Sequence, residues 1–378
     1  SDYRDAAVAR PIEKSETPGT PETPERCETP ATTEAPDSPG TLGTPETLGT
    51  PEIAVVIPTF NRPERCADVL AALARQTLPP AAFEVVVVDD CSKEDTIGTL
   101  GPLVQTLPYR LRLLRTPSNR GPGAARNMGW RATTAPLLAF TDDDCLPEPG
   151  WLEAGLTHLG SHPDIGVAQG QTRAPDGVDV HQLQGWYVWR VIPEATAYFD
   201  ACNVFYRRRA LERTGGFDTE IGWWPSFGWP GATPVAWGED SAAGWAVIED
   251  GWQRGFVPDA VVVHEVEQRG LRWHLKYGYL DRAIVALAVA HPGYRREAFW
   301  RPWAYRREDA AFALAVAGLL GATRWRPAAL AVAPYLWWRR PSMRKPNFVP
   351  MCIGYVAVDA VRAAGRLSAA VKYRTLVL

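Results

Sequence analysis

The feature that most restricts the fold of this 378-residue chain is a regular alternation of short apolar runs with helical segments, starting at Ile53. The run from Ile53 to Pro58 is apolar throughout, which is typical of a strand covered on both faces. Three further apolar runs follow, each bounded by turn residues and separated by segments with helical periodicity. They span residues 84–89, 111–115 and 137–142. This order predicts an α/β fold with a mostly parallel sheet flanked by helices.

Local signals also predict where the first helices begin. Asn61 can cap a helix after the first strand, and Glu64 stands three residues later, as a capping box requires. A second helix is expected after Ser92, and a third over residues 123–133. Later in the chain, the pattern predicts a helix over residues 239–254 and a strand over residues 256–263.

Polar residues follow three of the first four predicted strands, at the edge where ligands bind in open parallel sheets. They are Thr59-Phe60-Asn61, Asp89-Asp90 and Asp142-Asp143-Asp144. Three consecutive carboxylates repel one another unless a cation lies among them, and oxygen ligands with room for phosphate suit Mg²⁺ or Mn²⁺. The alternative is that Asp142 to Asp144 are solvated loop acids preceding Pro147.

The other strand ends are consistent with a nucleotide pocket. Phe60 can stack on a base, and the carboxylate of Asp90 can accept a hydrogen bond from it. Asp89-Asp90 is also good turn chemistry, so taken alone the pair leaves both interpretations open. Gly121-Pro122-Gly123 lacks the third glycine of a dinucleotide-binding loop, but it can let backbone approach a donor, with Arg126 near the phosphates.

The two ends of the chain differ from this central part. Residues 1–52 contain Thr-Pro-Glu and Gly-Thr-Pro repeats and few residues suited to a core, which predicts a disordered tail. From His291 onward there are about fifteen Lys and Arg against about four Asp and Glu, so the C-terminal end is basic and the rest acidic. The acidic remainder argues against nucleic acid as a partner.

The basic end is also apolar. Residues 310–338 and 348–361 are mostly apolar, and the first stretch is interrupted by Arg324 and Arg326. Residues 269–378 are therefore expected to form a basic, apolar helical region, either associated with a membrane surface or packed on the preceding domain. The six cysteines show no metal-site spacing and there is no signal-peptide pattern. Reduced thiols and a cytoplasmic location, peripheral on the inner face of the membrane, are the corresponding expectations.

Four ordered segments resemble the family-2 glycosyltransferases. The similarity continues through four later positions, so it covers approximately residues 53–264. The first four segments are Val56–Arg62, Val87–Ser92, Asn119–Asn127 and Phe140–Asp144, and the later positions are Asn203–Arg207, Gly215–Asp218, Gly238–Asp240 and His264.

The resemblance implies a GT-A fold, which is Rossmann-like, in a catalytic domain over residues 53–268. Within it, residues 53–148 would hold the nucleotide sugar and residues 149–268 the acceptor. The implied reaction is metal-dependent transfer of a sugar, with inversion, from a nucleotide-diphosphate donor to a hydroxyl of a glycan, a lipid-linked or a small-molecule acceptor. The residues expected to bind the donor are Pro58, Thr59, Phe60, Arg62, Asp90, Gly121, Arg126, Asp142 and Asp143.

The resemblance also assigns metal, base and acceptor residues. Asp144 would bind Mn²⁺ or Mg²⁺ with help from Asp142, and His264 would be a further ligand unless it is a satisfied buried histidine. Asp240, with Glu239 beside it, would be the general base, although acids in a first helical turn can simply complement the helix dipole.

Acceptor contacts are expected from Gly216, Phe217 and Trp237. Gly215-Gly216 is also an ordinary helix end. Several tryptophans near the proposed base have flat rings that match the C–H faces of sugars, although the core must account for some of them. They are Trp223, Trp224, Trp229, Trp237, Trp245 and Trp252.

Two other functions are compatible with such a sheet. A nucleotidyltransferase would more often have a glycine-rich loop with Arg and Lys after the first strand, where this chain has Thr-Phe-Asn-Arg. A non-catalytic carbohydrate-binding protein would not need the acid set Asp90, Asp142, Asp144 and Asp240. These residues therefore favour the transferase.

Overall fold

The computed structural model describes residues 42–43, 50–180, 182–183, 186–221, 237–343 and 348–377. Within these residues the chain forms a nine-stranded sheet, a two-stranded sheet and helices on both sides. The strands are β1 Leu42–Gly43, β2 Ile53–Thr59, β3 Phe83–Asp89, β4 Arg110–Arg115, β5 Leu137–Phe140, β6 Cys145–Pro147, β7 Ile165–Arg173, β8 Tyr187–Val188, β9 Val204–Arg207, β10 Gln253–His264 and β11 Glu267–Gln268.

The helices alternate with the strands in the first half of the chain and predominate after residue 270. Three short 3₁₀ segments, at residues 80–82, 279–281 and 326–332, join them. The α-helices are α1 Pro63–Leu73, α2 Thr96–Leu100, α3 Leu103–Thr106, α4 Pro122–Arg131, α5 Trp151–Ser161, α6 Arg208–Thr214, α7 Glu239–Glu249, α8 Leu271–Gly278, α9 Arg282–Ala290, α10 Pro292–Ala298, α11 Arg307–Ala322, α12 Ala333–Met343 and α13 Phe348–Lys372.

The large sheet has the order β1-β4-β3-β2-β5-β9-β7-β10-β6. β4, β3, β2 and β5 are parallel neighbours, as the apolar runs predict. β9 is antiparallel to both β5 and β7, and β6 is antiparallel to β10. The predicted α/β fold with a mostly parallel sheet is therefore confirmed, and the antiparallel strands are β1, β6 and β9.

The sheet is covered on both faces, which explains the uniformly apolar strands. On one face α1 and α5 pack on alternate residues such as Ile57, Val85 and Phe205. On the other face the core includes Val56, Phe140 and Tyr206 together with α7 and α9. Residues that alternate along a strand enter different halves of the core, so both must be apolar.

Two local predictions are wrong in detail. Asn61 does not cap α1, since the N-cap is Arg62 and no side chain caps the helix. Asn61 instead has φ 55° and its Oδ1 accepts a hydrogen bond from the amide of Lys93. This contact ties the loop after β2 to the loop after β3, a long-range interaction that outweighs the local capping signal. The strand expected to reach Asp142 ends at Phe140, because the chain leaves the sheet there and turns toward β6.

The two chain ends also differ from expectation. Most of the predicted disordered tail lies outside the described residues, but Leu42–Gly43 pair with β4 as β1. Cys91 is disulfide-bonded, so the expectation of reduced thiols is wrong for this residue. The helical C-terminal region is confirmed as α8 to α13. In the part of the chain described here, no helix combines the length and apolarity needed to cross a bilayer.

Candidate active site

The ends of β2, β3 and β5 meet at one edge of the sheet because the three strands are parallel neighbours. Thr59 pairs with Asp89, and the amide of Asp90 donates to the carbonyl of Thr59 at 2.9 Å. Asp142, Asp143 and Asp144 follow β5 in a turn closed by the Cys145 amide and the Asp142 carbonyl at 3.2 Å. The acidic residues identified in the sequence therefore lie together at this edge.

The three consecutive aspartates face different partners. Asp142 Oδ1 accepts from Arg126 Nη2 at 2.7 Å, and Asp143 Oδ2 accepts from Thr59 Oγ1 at 2.8 Å. Arg62 Nη1 lies between Asp143 and Asp144, at 3.3 and 3.2 Å. Two arginines thus compensate the crowded negative charge, which corrects the argument that this crowding by itself requires a metal ion.

Asp143 is the most enclosed of the three. The pKa of its carboxyl is raised to about 7, mainly by burial and also by the charge of Asp144, whereas Arg62 and the hydroxyl of Thr59 oppose that shift. The carboxyl of Asp143 therefore holds Thr59 and Arg62 in place, and it presents little surface to a donor.

Asp144 and His264 form a pair that suits a metal ion. The antiparallel register of β6 and β10 sets His264 opposite Cys145, so its Nε2 lies 3.8 Å from Asp144 Oδ1. Nδ1 of His264 lies 2.7 Å from the carbonyl oxygen of Glu265. In the neutral ring that contact needs a proton on Nδ1, which leaves the Nε2 lone pair directed toward Asp144. The Cys145 thiol completes a group whose ligand atoms all lie within 4.8 Å of one another, but burial raises its pKa well above the usual range.

Asp90 lies deep at the end of β3, where the loop before α4 surrounds its carboxylate. Oδ2 accepts from the amide of Gly121 at 2.7 Å, and Oδ1 accepts from Thr116 Oγ1 at 2.9 Å and from the amide of Arg120 at 3.2 Å. Burial raises the pKa of Asp90 to about 6, and these hydrogen bonds oppose the shift. Gly121 has φ 83°, a conformation that favours glycine and directs its amide at Asp90. Phe60 is half-buried in the adjacent loop.

The proposed base opens α7, as the sequence predicts, after Gly238 at φ 90°. Asp240 Oδ2 accepts from the amide of Ala201 at 3.3 Å, and Oδ1 accepts from the amide of Ser241 at 2.6 Å. The pKa of Asp240 is raised to about 7, mainly by burial and also by the charges of Glu239 and Asp200, while Arg126 and the amide of Ser241 oppose the shift. The carboxylate is thus a stronger base than an exposed one despite its position at a helix N-terminus.

Arg126 connects the two acidic groups. Nη2 donates to Asp142, and Nη1 donates to Glu239 Oε1 at 3.0 Å. The guanidinium is buried beneath the ring of Phe217, whose centroid lies 5.7 Å away. The sequence predicts that Arg126 lies near the donor phosphates. In the structure its side chain instead bonds Asp142, in the turn that carries Asp144, and Glu239, which precedes the proposed base Asp240.

The expected acceptor residues lie in different environments. Phe217 is buried and packs against Phe140 and Tyr206, while its amide and carbonyl bond the side chain of Asn127. Gly216 is held closely by Asn127 as well. Phe217 supports Arg126 from within the core, and both residues are buried and offer an acceptor almost no surface.

The tryptophans near the base also separate into groups. Trp245 is buried, and its Nε1 donates to the carbonyl of Ala197 at 2.9 Å. Trp252 is half-buried and lies beneath Arg209. Trp237 is half-buried, with the Arg190 guanidinium 6.0 Å from its ring. Trp223, Trp224 and Trp229 lie outside the described residues.

Two residues near the base were missed by sequence reasoning. Arg190 Nε lies 3.1 Å from Asp200 Oδ1, and the negative charges of Asp200 and Asp240 both raise the pKa of Arg190. Arg190 comes from an irregular segment with no pattern that singles it out. Asp200 stands three residues before Asn203, where the family resemblance resumes, and this proximity was the available signal.

Comparison with known proteins identifies the domain that carries this site. Residues 54–215 match the glycosyl transferase family 2. Relatives with curated names include a pre-mycofactocin glycosyltransferase of Mycobacterium tuberculosis, 27% identical over 255 residues, covering 64% of this chain and 48% of the relative.

A second relative is the validoxylamine A glucosyltransferase of Streptomyces hygroscopicus subsp. limoneus. It is 30% identical over 207 residues, which cover 46% of this chain and 45% of the relative. The chain spans about half the length of these curated relatives.

The fold agrees with the match over residues 54–215. A solved mannosyltransferase from Pyrobaculum calidifontis, in complex with GDP-Man and Mn²⁺, superposes with a TM-score of 0.52 at 23% identity. The superposition covers 88% of this chain and 89% of that one. The expected GT-A fold is confirmed, and the superposition extends over most of the chain that contains the C-terminal helices.

Proposed function

We propose that this protein is an inverting, metal-dependent glycosyltransferase that moves a sugar from a nucleotide-diphosphate donor to an acceptor hydroxyl. One observation carries the proposal: the side chain of Arg126 bonds both Asp142 and Glu239. The candidate metal and donor site after β5 therefore adjoins the candidate base at the start of α7, and α4 holds the two together. The named glycosyltransferase relatives support the same reaction class.

The side chains fit a divalent cation. Asp144 offers a carboxylate and His264 an imidazole whose Nε2 faces that carboxylate, with Asp142 next along the turn. Carboxylate and imidazole together suit Mn²⁺ well, and Mg²⁺ accepts the carboxylate with water and phosphate oxygens. A bound cation would neutralise the negative charge that develops on the departing nucleotide diphosphate. The related fold solved with Mn²⁺ and GDP-Man supports a cation of this kind.

Asp240 takes the proton of the acceptor hydroxyl in this proposal. The acceptor oxygen forms a bond to the anomeric carbon while the bond from that carbon to the diphosphate oxygen breaks on the opposite face, so the configuration inverts. The proton ends on Asp240 and the electron pair leaves with the diphosphate. A pKa of about 7 leaves Asp240 largely ionised just above neutral pH and able to accept that proton.

Donor recognition is assigned to the loops after β2 and β3. Phe60 would stack on the base, and Pro58 and Thr59 would shape the floor of its pocket. Asp90 already accepts three hydrogen bonds from Thr116, Arg120 and Gly121, so a carboxylate lone pair not used by them must bind the base. Arg62 and Gly121 would lie beside the diphosphate.

The acceptor is proposed to be a glycan, a lipid-linked sugar or a small molecule. Among the expected acceptor residues, Trp237 is the one with an exposed part. Its ring lies 6.0 Å from the guanidinium of Arg190, whose pKa is raised in part by the charge of Asp240. Flat apolar rings match the C–H faces of sugars, which supports a carbohydrate at this position. We also propose that the protein is cytoplasmic and works at the inner face of a membrane, held there by residues 269–378.

The test is a screen of nucleotide sugars with Mn²⁺ or Mg²⁺, using slow release of nucleoside diphosphate and transfer to sugar acceptors as readouts. Asp144→Ala is expected to abolish metal-dependent donor binding measured by calorimetry. Asp240→Asn is expected to leave donor binding intact and to lower the transfer rate by roughly 100- to 10,000-fold, the range for loss of a general base. Asp164→Ala is the control, because that residue is exposed and directly precedes β7, at the opposite edge of the sheet.

Metal-dependent donor binding that survives in Asp144→Ala would contradict the metal assignment. Transfer at an undiminished rate by Asp240→Asn would contradict the base assignment. If no nucleotide sugar binds the unmodified protein with either metal, the proposed reaction itself is wrong.

A further inference from the structure

The C-terminal region leaves large apolar side chains in water on one helical hairpin. This C-terminal hairpin consists of α11 and the 3₁₀ segment at residues 326–332, which run antiparallel because Gly318 meets Ala331 and Gly321 meets Ala328. Leu319, Leu320 and Trp325 are 58%, 67% and 67% exposed, and Leu330 is 76% exposed. Among the described residues, every large apolar side chain that is more than half exposed lies beyond residue 318. Of these side chains, Leu319, Leu320, Trp325 and Leu330 lie together on the hairpin or at its turn.

The packing of this hairpin is inverted relative to that of a water-soluble helix pair. The residues of α11 that face the 3₁₀ segment are small, and a Cβ added to Gly318 would lie 2.6 Å from the Cβ of Ala331. The large residues Val316, Leu319 and Leu320 point outward, and helical spacing sets them along one face. Small residues inside and large apolar residues outside are typical of helices whose surroundings are lipid, since there the hydrophobic effect does not favour burying leucine between helices.

The charges of the hairpin and of the residues that follow it indicate which type of membrane surface the hairpin contacts. Residues 310–358 contain no Asp or Glu but include Arg324, Arg326 and, further along, Arg339, Arg340, Arg344 and Lys345. Arg324 and Arg326 are exposed and flank Trp325 at the turn of the hairpin. Tryptophan and arginine together are enriched at the level of lipid headgroups, and cations there are attracted to anionic lipids.

We infer that the C-terminal hairpin inserts its outer apolar face into an anionic lipid membrane, with Leu319, Leu320 and Leu330 below the headgroups and Arg324 and Arg326 among them. This inference names the inserted element and the lipid charge for the membrane contact included in the proposed function, and it does not depend on the transfer chemistry. The partner is a lipid surface rather than a second protein because an apolar face without any acidic residue complements anionic headgroups.

The experiment is flotation of the full chain with vesicles of phosphatidylcholine alone or mixed with phosphatidylglycerol, at low and high salt. The unmodified protein is expected to float with the anionic vesicles, and less so at high salt. Leu320→Gln with Trp325→Gln is expected to lower the partition coefficient by about tenfold or more. Arg324→Glu with Arg326→Glu should remove the preference for phosphatidylglycerol.

Matched controls change similar residues elsewhere. Val178→Gln with Val289→Gln removes two exposed apolar side chains, and Arg75→Glu with Arg296→Glu reverses two exposed charges. Both controls should float like the unmodified protein. Because all the substituted side chains are exposed, each variant should keep its melting temperature, and donor hydrolysis in solution reports the chemistry separately.

Two results would overturn the inference. One is an unmodified protein that stays below both types of vesicle, or hairpin variants that float as well as their controls. The other is a lipid-free dimer, detected by sedimentation, that Leu320→Gln with Trp325→Gln converts to monomer while vesicle binding is unchanged, since a second copy would then cover the hairpin. Flotation without donor hydrolysis would count against the proposed function and leave the hairpin assignment standing.

Discussion

At the scale of residues, the site depends on how each carboxylate is balanced. Asp240 has its pKa raised to about 7 by burial, and the negative charge of Glu239 contributes to the shift while Arg126 opposes it. Burial by itself disfavours the charged form of Arg126 and would lower its pKa. The negative charges of Asp142, Glu239 and Asp240 more than compensate, so the pKa of Arg126 is raised. A buried arginine shared between acids therefore lowers the pKa of the proposed base, against the larger effects of burial and of Glu239.

This balance predicts a pH dependence with a defined sign. Asp240 must be ionised to act as a base, so kcat/KM should rise with pH through about 7 and level off above it. Glu239→Gln removes a negative neighbour and should shift this rise to lower pH. Arg126→Met removes a positive neighbour and should shift it to higher pH. The measurement is the pH profile of kcat/KM for transfer, with metal saturating.

Asp164→Asn should leave the profile where it is, because this residue is exposed and lies at the opposite edge of the sheet. A purely structural role for Glu239 and Arg126 would lower the rate at every pH without moving the profile in opposite directions. Identical profiles for all four proteins would exclude Asp240 as the titrating base.

At the scale of elements, close packing between α5 and the sheet holds the strands that carry the site. Gly155 lies on the inner face of α5, where an added Cβ would approach the ring of Phe205 to 2.2 Å. Gly160 lies in the same helix with nothing within 4 Å of such a Cβ. Phe205 belongs to β9, which pairs with β5 just before the aspartates, so displacement of α5 would reach the site.

The two glycines therefore predict opposite effects of one substitution. Gly155→Ala should destabilise the fold by about 1–3 kcal/mol, because the extra methyl overpacks a filled core. Gly160→Ala should stabilise it by up to about 1 kcal/mol through helix propensity. Chemical denaturation of each variant measures the change, and equal effects of the two substitutions would mean that α5 does not pack on Phe205 in this way.

At the scale of the whole molecule, the core crosses the boundary predicted at residue 268. Ile284, Leu287 and Tyr294 from the C-terminal region belong to the same hydrophobic cluster as Trp245 and Val56 of the catalytic domain. Gly293 approaches the ring of Trp245 so closely that an added Cβ would lie 2.4 Å from it. The C-terminal region thus has two faces, one that completes the core behind α7 and another, on the C-terminal hairpin, that leaves apolar residues exposed.

This shared core predicts that a fragment ending at residue 268 cannot fold normally. Each large side chain that it uncovers costs about 1.5–3 kcal/mol, and several of them together exceed the typical net stability of about 5–15 kcal/mol. The fragment should aggregate or lack a cooperative thermal transition measured by calorimetry. Replacing residues 311–343 by a Gly-Ser linker, which spares α9 and most contacts of α13, should retain that transition. A stable fragment would show that the boundary is a true domain limit.

Much of the fold was predictable because strand and helix signals are local. The uniformly apolar β2 and β3, the helical spacing of α1 and the Gly238-Glu239-Asp240 start of α7 depend on residues that are neighbours in the chain. The acids after the strands were also predictable as a group, since parallel strands end at one edge. Capping by Asn61 was predicted wrongly because a contact with Lys93 from another loop replaced it.

The sequence by itself determined the α/β alternation, the acids at the strand ends and the basic, apolar character of the C-terminal region, since periodicity and composition need no knowledge of distant contacts. Only the tertiary structure decided that Arg62 and Arg126 balance the aspartates, that His264 lies opposite Cys145, and that Phe217 supports Arg126 from the core. Apart from the Arg126–Asp142 pair, which is 16 positions apart, those relations join residues separated by about 80 to 120 positions. They depend on strand order, antiparallel register and close packing, which no local pattern encodes.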